Sequence, residues 1–237
     1  MKWHYTRGLH EIGPGVFAWL QPDGGWGWSN AGLVVDGGES LLVDTLFDVP
    51  KTREMLSAMA DAAPAAAHID AAINTHANGD HWYGNQLVAG ATILATEAAA
   101  EEMRELPPGK MARLMALARF LDRLPGPLKA LPLGGVRAGE LGGFFLDCFG
   151  FFDDTAATAT YPTETFSGTR SWTVGDREVQ LIEVGPAHTR GDALVYVPSA
   201  RVVFTGDILF ASGHPIAWAG PVANWIAACE RILALDV

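Results

Sequence analysis

The chain has 237 residues and 49% hydrophobic content, enough for one sizeable α/β domain with a large core. Lys+Arg 16 against Asp+Glu 27 gives a formal charge of -11, and no basic cluster stands out that could follow a phosphate backbone, which argues against nucleic-acid binding.

In chain order, Met1-Lys2-Trp3-His4-Tyr5 leads into polar, Gly-rich sequence without the continuous apolar run of a signal peptide, so a cytoplasmic protein is expected. Residues 14 to 20 read as a first strand, followed by a Gly-rich loop, Gln21 to Asn30, that carries Trp26 and Trp28. Ala31 to Val35 and Ser40 to Val43 are apolar runs joined by Asp36-Gly37-Gly38, a hairpin ending at Asp44. Pro50 sits at a helix start, with Met55, Leu56 and Met59 at helical spacing before Pro64. The run Ile69 to Ile73 reads as a buried strand.

Further on, the pattern predicts a short helix from Tyr83 to Ala89, a strand from Ala91 to Ala95, and helices from Glu97 to Glu105 and from about Lys110 to Leu124. Gly134 to Pro162 mixes glycine with phenylalanine and yields no element; residues 100 to 160 are expected to form a helical insertion or lid on the single domain. The patch from Phe144 to Phe152 is broken by Asp147 and is far shorter than the ~20 residues of a membrane span, so no membrane contact is expected. Five strands follow, Thr163 to Ser167, Arg170 to Val174, Val179 to Val184, Ala193 to Val197 and Val202 to Thr205, then a helix from Ala223 to Leu235. Cys148 and Cys229 lack CxxC spacing and read as reduced and buried.

The stretch Ile73-Asn74-Thr75-His76-Ala77-Asn78-Gly79-Asp80-His81-Trp82-Tyr83-Gly84-Asn85 concentrates chemistry. Two imidazoles, a carboxylate and an amide lie within six residues. Neutral imidazole and carboxylate bind zinc, iron and manganese, and Gly79 lets the backbone turn so that neighbours in sequence face one point. Histidines one helical turn apart on one helix face would have a different spacing, so a loop at a strand end is expected. The plain structural reading is a polar turn with Asp80 as a helix N-cap.

These residues resemble the His-x-His-x-Asp-His signature of the metallo-β-lactamase superfamily, with His76, Asp80 and His81 in place and Asn78 where the second histidine is usual. Ala187-His188-Thr189 and Phe204-Thr205-Gly206-Asp207 resemble the next ligand histidine and the bridging aspartate. The resemblance implies an α/β fold of the αββα sandwich type, two mixed β-sheets packed face to face with helices outside and metals at one edge. It implies two ligand sets, His76, His188 and Asp207 for one metal and Asp80, His81 and Asp207 for a second. Asp44 would orient a ligand histidine without touching the metal. The family's last ligand, a histidine in a Gly-His-Gly-like turn, has no counterpart after Trp225, so the C-terminal end of the family fold is expected to be missing.

Asn78 replaces an imidazole with a poorer ligand for zinc and reads as a ligand to a hard cation, a hydrogen-bonding neighbour, or a tolerated loss. His214 reads as a substitute ligand or substrate contact against a plain loop histidine, while His4, His10 and His68 lie outside any motif. Trp26 and Trp28 are candidate substrate contacts.

The leading functional expectation is a hydrolase of a small-molecule ester, thioester, lactone or amide, with Asp80 as catalytic residue and one or two Zn2+, or Fe2+ or Mn2+ in their place. A mononuclear iron oxygenase of the same superfamily, using His76, His188 and Asp207, is the alternative. A degenerate, non-catalytic binding scaffold is a third reading. No oligomeric state is assigned.

Overall fold

The computed structural model describes residues 5–22, 24–153, 156–211 and 213–237. In chain order the elements are β1 (Gly8–Gly13), β2 (Val16–Leu20), β3 (Ala31–Asp36), β4 (Glu39–Val43), α1 (Val49–Ala62), β5 (Ala71–Ile73), β6 (Thr92–Thr96), α2 (Glu97–Glu102), α3 (Pro108–Asp122) and α4 (Gly126–Lys129). They continue as β7 (Pro132–Leu133), β8 (Val136–Arg137), α5 (Ala138–Phe149), β9 (Glu164–Phe166), β10 (Thr169–Val174), β11 (Arg177–Glu183), β12 (Ala193–Val197), β13 (Val202–Phe204) and α6 (Val222–Leu233).

Strand alternation sorts these side chains into layers. Val34, Leu41, Val43, Ile73 and Leu94 of the first sheet share a core with Val179, Leu181, Val195 and Val197 of the second. Their neighbours Leu33, Leu42, Ala72 and Ile93 face the other way, against Met55 and Met59 of α1. On the far side, Ile182, Leu194 and Tyr196 pack on Ala228 and Ile232 of α6. The layers are therefore helix, sheet, sheet, helix, the expected αββα sandwich. Full burial of one such aliphatic side chain stabilises by ~1.5–3 kcal/mol, so burial between these four layers is the main force holding the sheets together.

The first sheet runs β1-β2-β3-β4-β5-β6-β9. It is antiparallel from β1 to β4 and parallel from β4 to β9. The second runs β10-β11-β12-β13 and, where a mixed sheet was expected, is antiparallel throughout, each strand pairing with the next in sequence.

Several elements depart from the sequence pattern for identifiable reasons. β1 was not anticipated, as it is an edge strand whose residues are mostly only half-buried. The 134 to 162 region contains α5, hidden by its glycines. Gly142 is where α5 meets α3: a Cβ there would lie 2.8 Å from Ala118 O and from Asp122 N, so a larger residue would push the helices apart. The short helix expected after Tyr83 is only a 3-10 turn, Asn85–Val88. Cys148 and Cys229 are free and half-buried rather than buried. Helix α1 starts as its sequence suggests: Asp48 caps it by accepting from Lys51 N at 2.7 Å. Among the described residues no helix is long and apolar enough to cross a membrane.

Candidate metal centre

Because β4 and β5 are parallel neighbours, their C-terminal ends open on the same edge, the usual place for a site in a parallel sheet. Asp44 follows Val43 there, and the loop from Asn74 to Asp80 follows Ile73. The second sheet meets this edge through Ala193 N, which donates to Thr75 O at 2.8 Å. The loop before β12 thereby presents His188, and the turn after β13 presents Asp207.

Three imidazoles converge, with ring centroids of His76 and His81 4.1 Å apart and of His76 and His188 4.9 Å apart. Each ring is held by its Nδ1. His81 Nδ1 donates to Asp44 Oδ2 at 2.8 Å. Thr75 Oγ1 donates to the same Oδ2 at 2.7 Å, which leaves its lone pair for His76 Nδ1 at 3.1 Å. His188 Nδ1 donates to the Ile216 carbonyl at 2.5 Å. With Nδ1 engaged in each ring, Nε2 is the atom left to meet an ion or the Asp207 carboxylate.

The donor set fits a metal ion. His76 Nε2 is buried and lacks a hydrogen-bond partner among the described residues, a costly state that coordination would relieve, whereas His81 Nε2, also without a hydrogen bond, has carboxylates beside it. Ligands ~2.0–2.1 Å from a tetrahedral metal stand about 3.3 Å from one another. His81 Nε2 lies 3.3 Å from Asp207 Oδ1 and 3.7 Å from Asp80 Oδ2, and His188 Nε2 lies 3.5 Å from Asp207 Oδ2. Ligand atoms of His76, His188 and Asp207 all fall within 4.8 Å of one another.

Electrostatics separate the two histidines of the motif loop and the two carboxyls beside them. Burial, reinforced by the neighbouring His81, holds His76 well below the ordinary histidine value, so its Nε2 carries a free lone pair. Burial also opposes charge on His81, but Asp44, then Asp80 and Asp207, outweigh it and raise its pKa well above the ordinary value. Burial lifts the Asp80 carboxyl despite the pull of His81. Partial desolvation of the half-buried Asp207 works against its charge, yet His81, with smaller contributions from His76 and His188, holds it below the usual carboxylate range.

Of the residues singled out in the sequence, Asp44, His76, Asn78, Asp80, His81, His188 and Asp207 assemble here. Asn78 Nδ2 lies 2.9 Å from His188 Nε2. His214 is exposed, and it is Ile216 from the same loop that contacts the site. Trp26 meets Trp218, Phe144 and Phe149 edge-on, and Trp218 N donates to His188 O at 2.9 Å. Trp28 instead packs on Phe152, with Lys51 Nζ 5.3 Å from its ring centre. His10 Nε2 donates to Thr6 O, His68 is exposed, and His4 lies outside the described residues.

Sequence reasoning missed the supports. Asn74 Nδ2 donates to His81 O at 2.8 Å and Asn85 Nδ2 to Asn74 Oδ1 at 2.8 Å, closing the motif loop. Asp192 accepts from Ala187 N, Thr189 N and Thr189 Oγ1, fixing the turn that carries His188. The signal for Asn74 and Asn85 was an amide at each end of the motif; Asp192 gave none.

The family model described as Metallo-beta-lactamase superfamily matches residues 24–237, and the chain belongs to that superfamily. Members of it bind metal ions, typically zinc. Hydroxyacylglutathione hydrolase from Brucella ovis is 39% identical over 71 residues, 30% of this chain and 27% of that protein; the chain spans about a quarter of the curated relatives it matches. Two solved structures share the fold. The sec-alkylsulfatase Pisa1 from Pseudomonas sp. has a TM-score of 0.62 at 20% identity, covering 96% of this chain and 36% of that one. A metallo-beta-lactamase from Pontibacter korlensis has 0.62 at 14%, covering 94% and 83%.

Proposed function

We propose that this protein is a metal-dependent hydrolase of a small-molecule ester, thioester, lactone or amide. The observation that carries this reading is the buried His76 Nε2, without a hydrogen-bond partner among the described residues, grouped with His188 and the Asp207 carboxylate, while His81 Nε2 lies 3.3 Å from the same carboxylate. Relatives named as a hydroxyacylglutathione hydrolase and an alkylsulfatase support a hydrolytic reaction. His76, His188 and Asp207 would hold one ion, and Asp80, His81 and Asp207 a second, with zinc favoured by the imidazoles. A bound ion supplies an activated water and a polarising contact for a carbonyl oxygen.

The chain's own groups do the rest. Asp80, its carboxyl raised by burial, would take up a water proton and return it to the leaving group. Trp26, Phe144, Phe149 and Trp218 form a partly exposed aromatic lip joined to the site through the His188 carbonyl. That lip suits a substrate with an apolar part, and α5 makes one wall of the entrance.

Metal content by elemental mass spectrometry, with an ester, thioester and lactone screen, tests this reading on wild type and Asp207→Ala. Zinc or manganese near one or two per chain, lost in the variant together with hydrolysis, is expected. Absence of metal from the wild type after incubation with zinc would sink it and favour a binding scaffold. The trio His76, His188 and Asp207 is also a two-histidine, one-carboxylate set suited to iron(II); iron near one per chain with oxygen uptake would establish that second reading instead.

A further inference from the structure

We infer that Asn78 is an internal competitor of the metal for His188. The inference rests on the metal-centre reading above and concerns how tightly the site loads. His188 Nδ1 gives its proton to the Ile216 carbonyl, so Nε2 carries the lone pair of the neutral ring. The Asn78 Nδ2 at 2.9 Å must then be donating into that lone pair. This also fixes the amide orientation, with Nδ2 toward the ring and Oδ1 away from it. His188 Nε2 does not share the condition of His76 Nε2, which is buried without a hydrogen-bond partner among the described residues.

The separations distinguish a competitor from a fellow ligand. Two ligand atoms on one tetrahedral ion stand about 3.3 Å apart, as the distances of 3.3, 3.5 and 3.7 Å among His81, His188, Asp80 and Asp207 allow. Asn78 and His188 are closer than that, at hydrogen-bond length, and the atom facing the ring is an N–H, which cannot ligate. An ion that takes His188 must first break this bond. His188 does not need Asn78 for its orientation, because the Ile216 carbonyl holds the ring and Asp192 holds the turn on both sides of it.

The sign of the effect follows. Removing the amide frees the lone pair without removing a ligand, so Asn78→Ala should bind zinc more tightly than the wild type. The net value of one neutral hydrogen bond corresponds to about a two- to tenfold change in an equilibrium constant. Asn78→His, which adds an imidazole and removes the competitor, should gain at least as much.

Zinc dissociation constants for the wild-type chain and both variants, by competition with a chromophoric chelator at one fixed pH, provide the test, with thermal melts to confirm folding. Tighter binding by Asn78→Ala is the expected result. Equal binding would overturn the inference, and weaker binding would mean that Asn78 itself ligates. A second measurement avoids substitution: in the metal-free wild type the Asn78 side-chain amide protons should exchange slowly with solvent, and zinc should abolish that protection. Protection unchanged by zinc would overturn the inference as well. If none of the three proteins binds zinc, the hydrolase reading falls and this one with it; if the wild type binds and Asn78→Ala does not improve on it, only this one falls.

Discussion

Asp44 and His81 are joined at 2.8 Å, Oδ2 to Nδ1, and the same carboxylate takes Thr75 N and Thr75 Oγ1 at 2.7 Å. One buried carboxylate therefore positions His81 directly and His76 through the threonine hydroxyl. It does so from a backbone φ of 63°, uncommon for a residue other than glycine and best tolerated by aspartate and asparagine. Asp44→Ala leaves three buried donors unmatched and should lower unfolding stability by about 3 kcal/mol in urea titration. Zinc affinity should fall ~10–100-fold, although Asp44 touches no metal.

The opposed shifts of His76 and His81 give the metal-free protein a pH signature. His81 is raised above the ordinary value of 6.5, so its contribution is full below that value and is lost as pH rises through the folded pKa. His76 is lowered, so its contribution is present above the ordinary value and is lost as pH falls toward its folded pKa. Together they should give stability declining on both sides of the ordinary histidine value. Urea unfolding between pH 5 and 9 should show both limbs (about that range suffices for histidine), the alkaline one reduced in His81→Gln and the acidic one in His76→Gln. Unchanged limbs would contradict these assignments.

An α/β fold was legible because strand alternation and the hairpin at Asp36-Gly37-Gly38 are local properties of sequence, as is the motif loop, whereas the αββα layering followed only from the family resemblance. His188 and Asp207 were legible only as members of a family pattern: each lies in an ordinary turn, and what unites them with His76 is sheet packing. The Thr75 relay and Asp192 could not be seen, since a hydroxyl or a carboxylate in a loop takes its meaning from partners that the fold supplies. Helix α5 was concealed because glycine lowers helix propensity, while Gly142 is there for contact with α3. Trp28 was expected at the site for its loop, yet its ring turns to Phe152 and Lys51, leaving Trp26 to face Trp218.

Asp192 offers a test of support at a distance from the metal. Its oxygens accept from Ala187 N at 3.0 Å, Thr189 N at 3.0 Å and Thr189 Oγ1 at 2.7 Å. Asp192→Ala should cost about 2–4 kcal/mol, because buried donors lose their acceptor. It should also weaken zinc binding, whereas Thr189→Val, which removes only the hydroxyl bond, should cost about 1 kcal/mol. Equal effects from the two variants would contradict the role given to the carboxylate.

Gly206 ties the Asp207 turn to the motif loop. Its φ is +50°, and a Cβ there would lie 2.8 Å from Thr75 Oγ1, the atom that relays Asp44 to His76. Gly206→Ala is expected to lose about 1–3 kcal/mol through backbone strain and crowding and to weaken metal binding by moving Thr75 and Asp207 together. Calorimetric melting with metal content measured on the same sample would check both effects. Loss of stability with full metal content would confine Gly206 to a structural role.

The aromatic lip should govern substrate capture rather than chemistry. Trp26 is 45% exposed, Phe144 54% and Trp218 56%, an unusual cost for three large apolar side chains in contact unless a ligand covers them. Trp26→Ala and Phe144→Ala lie outside the ligand set, so metal content and kcat should stay near wild type. KM for an ester with an apolar chain should rise, each ring contributing up to about tenfold, the value of ~1–1.5 kcal/mol of lost contact. A short acetyl ester, too small to reach the lip, should show no such rise. If both variants lowered kcat equally for long and short esters, the lip would be acting on the geometry of the centre through Trp218 and His188, and not on the substrate.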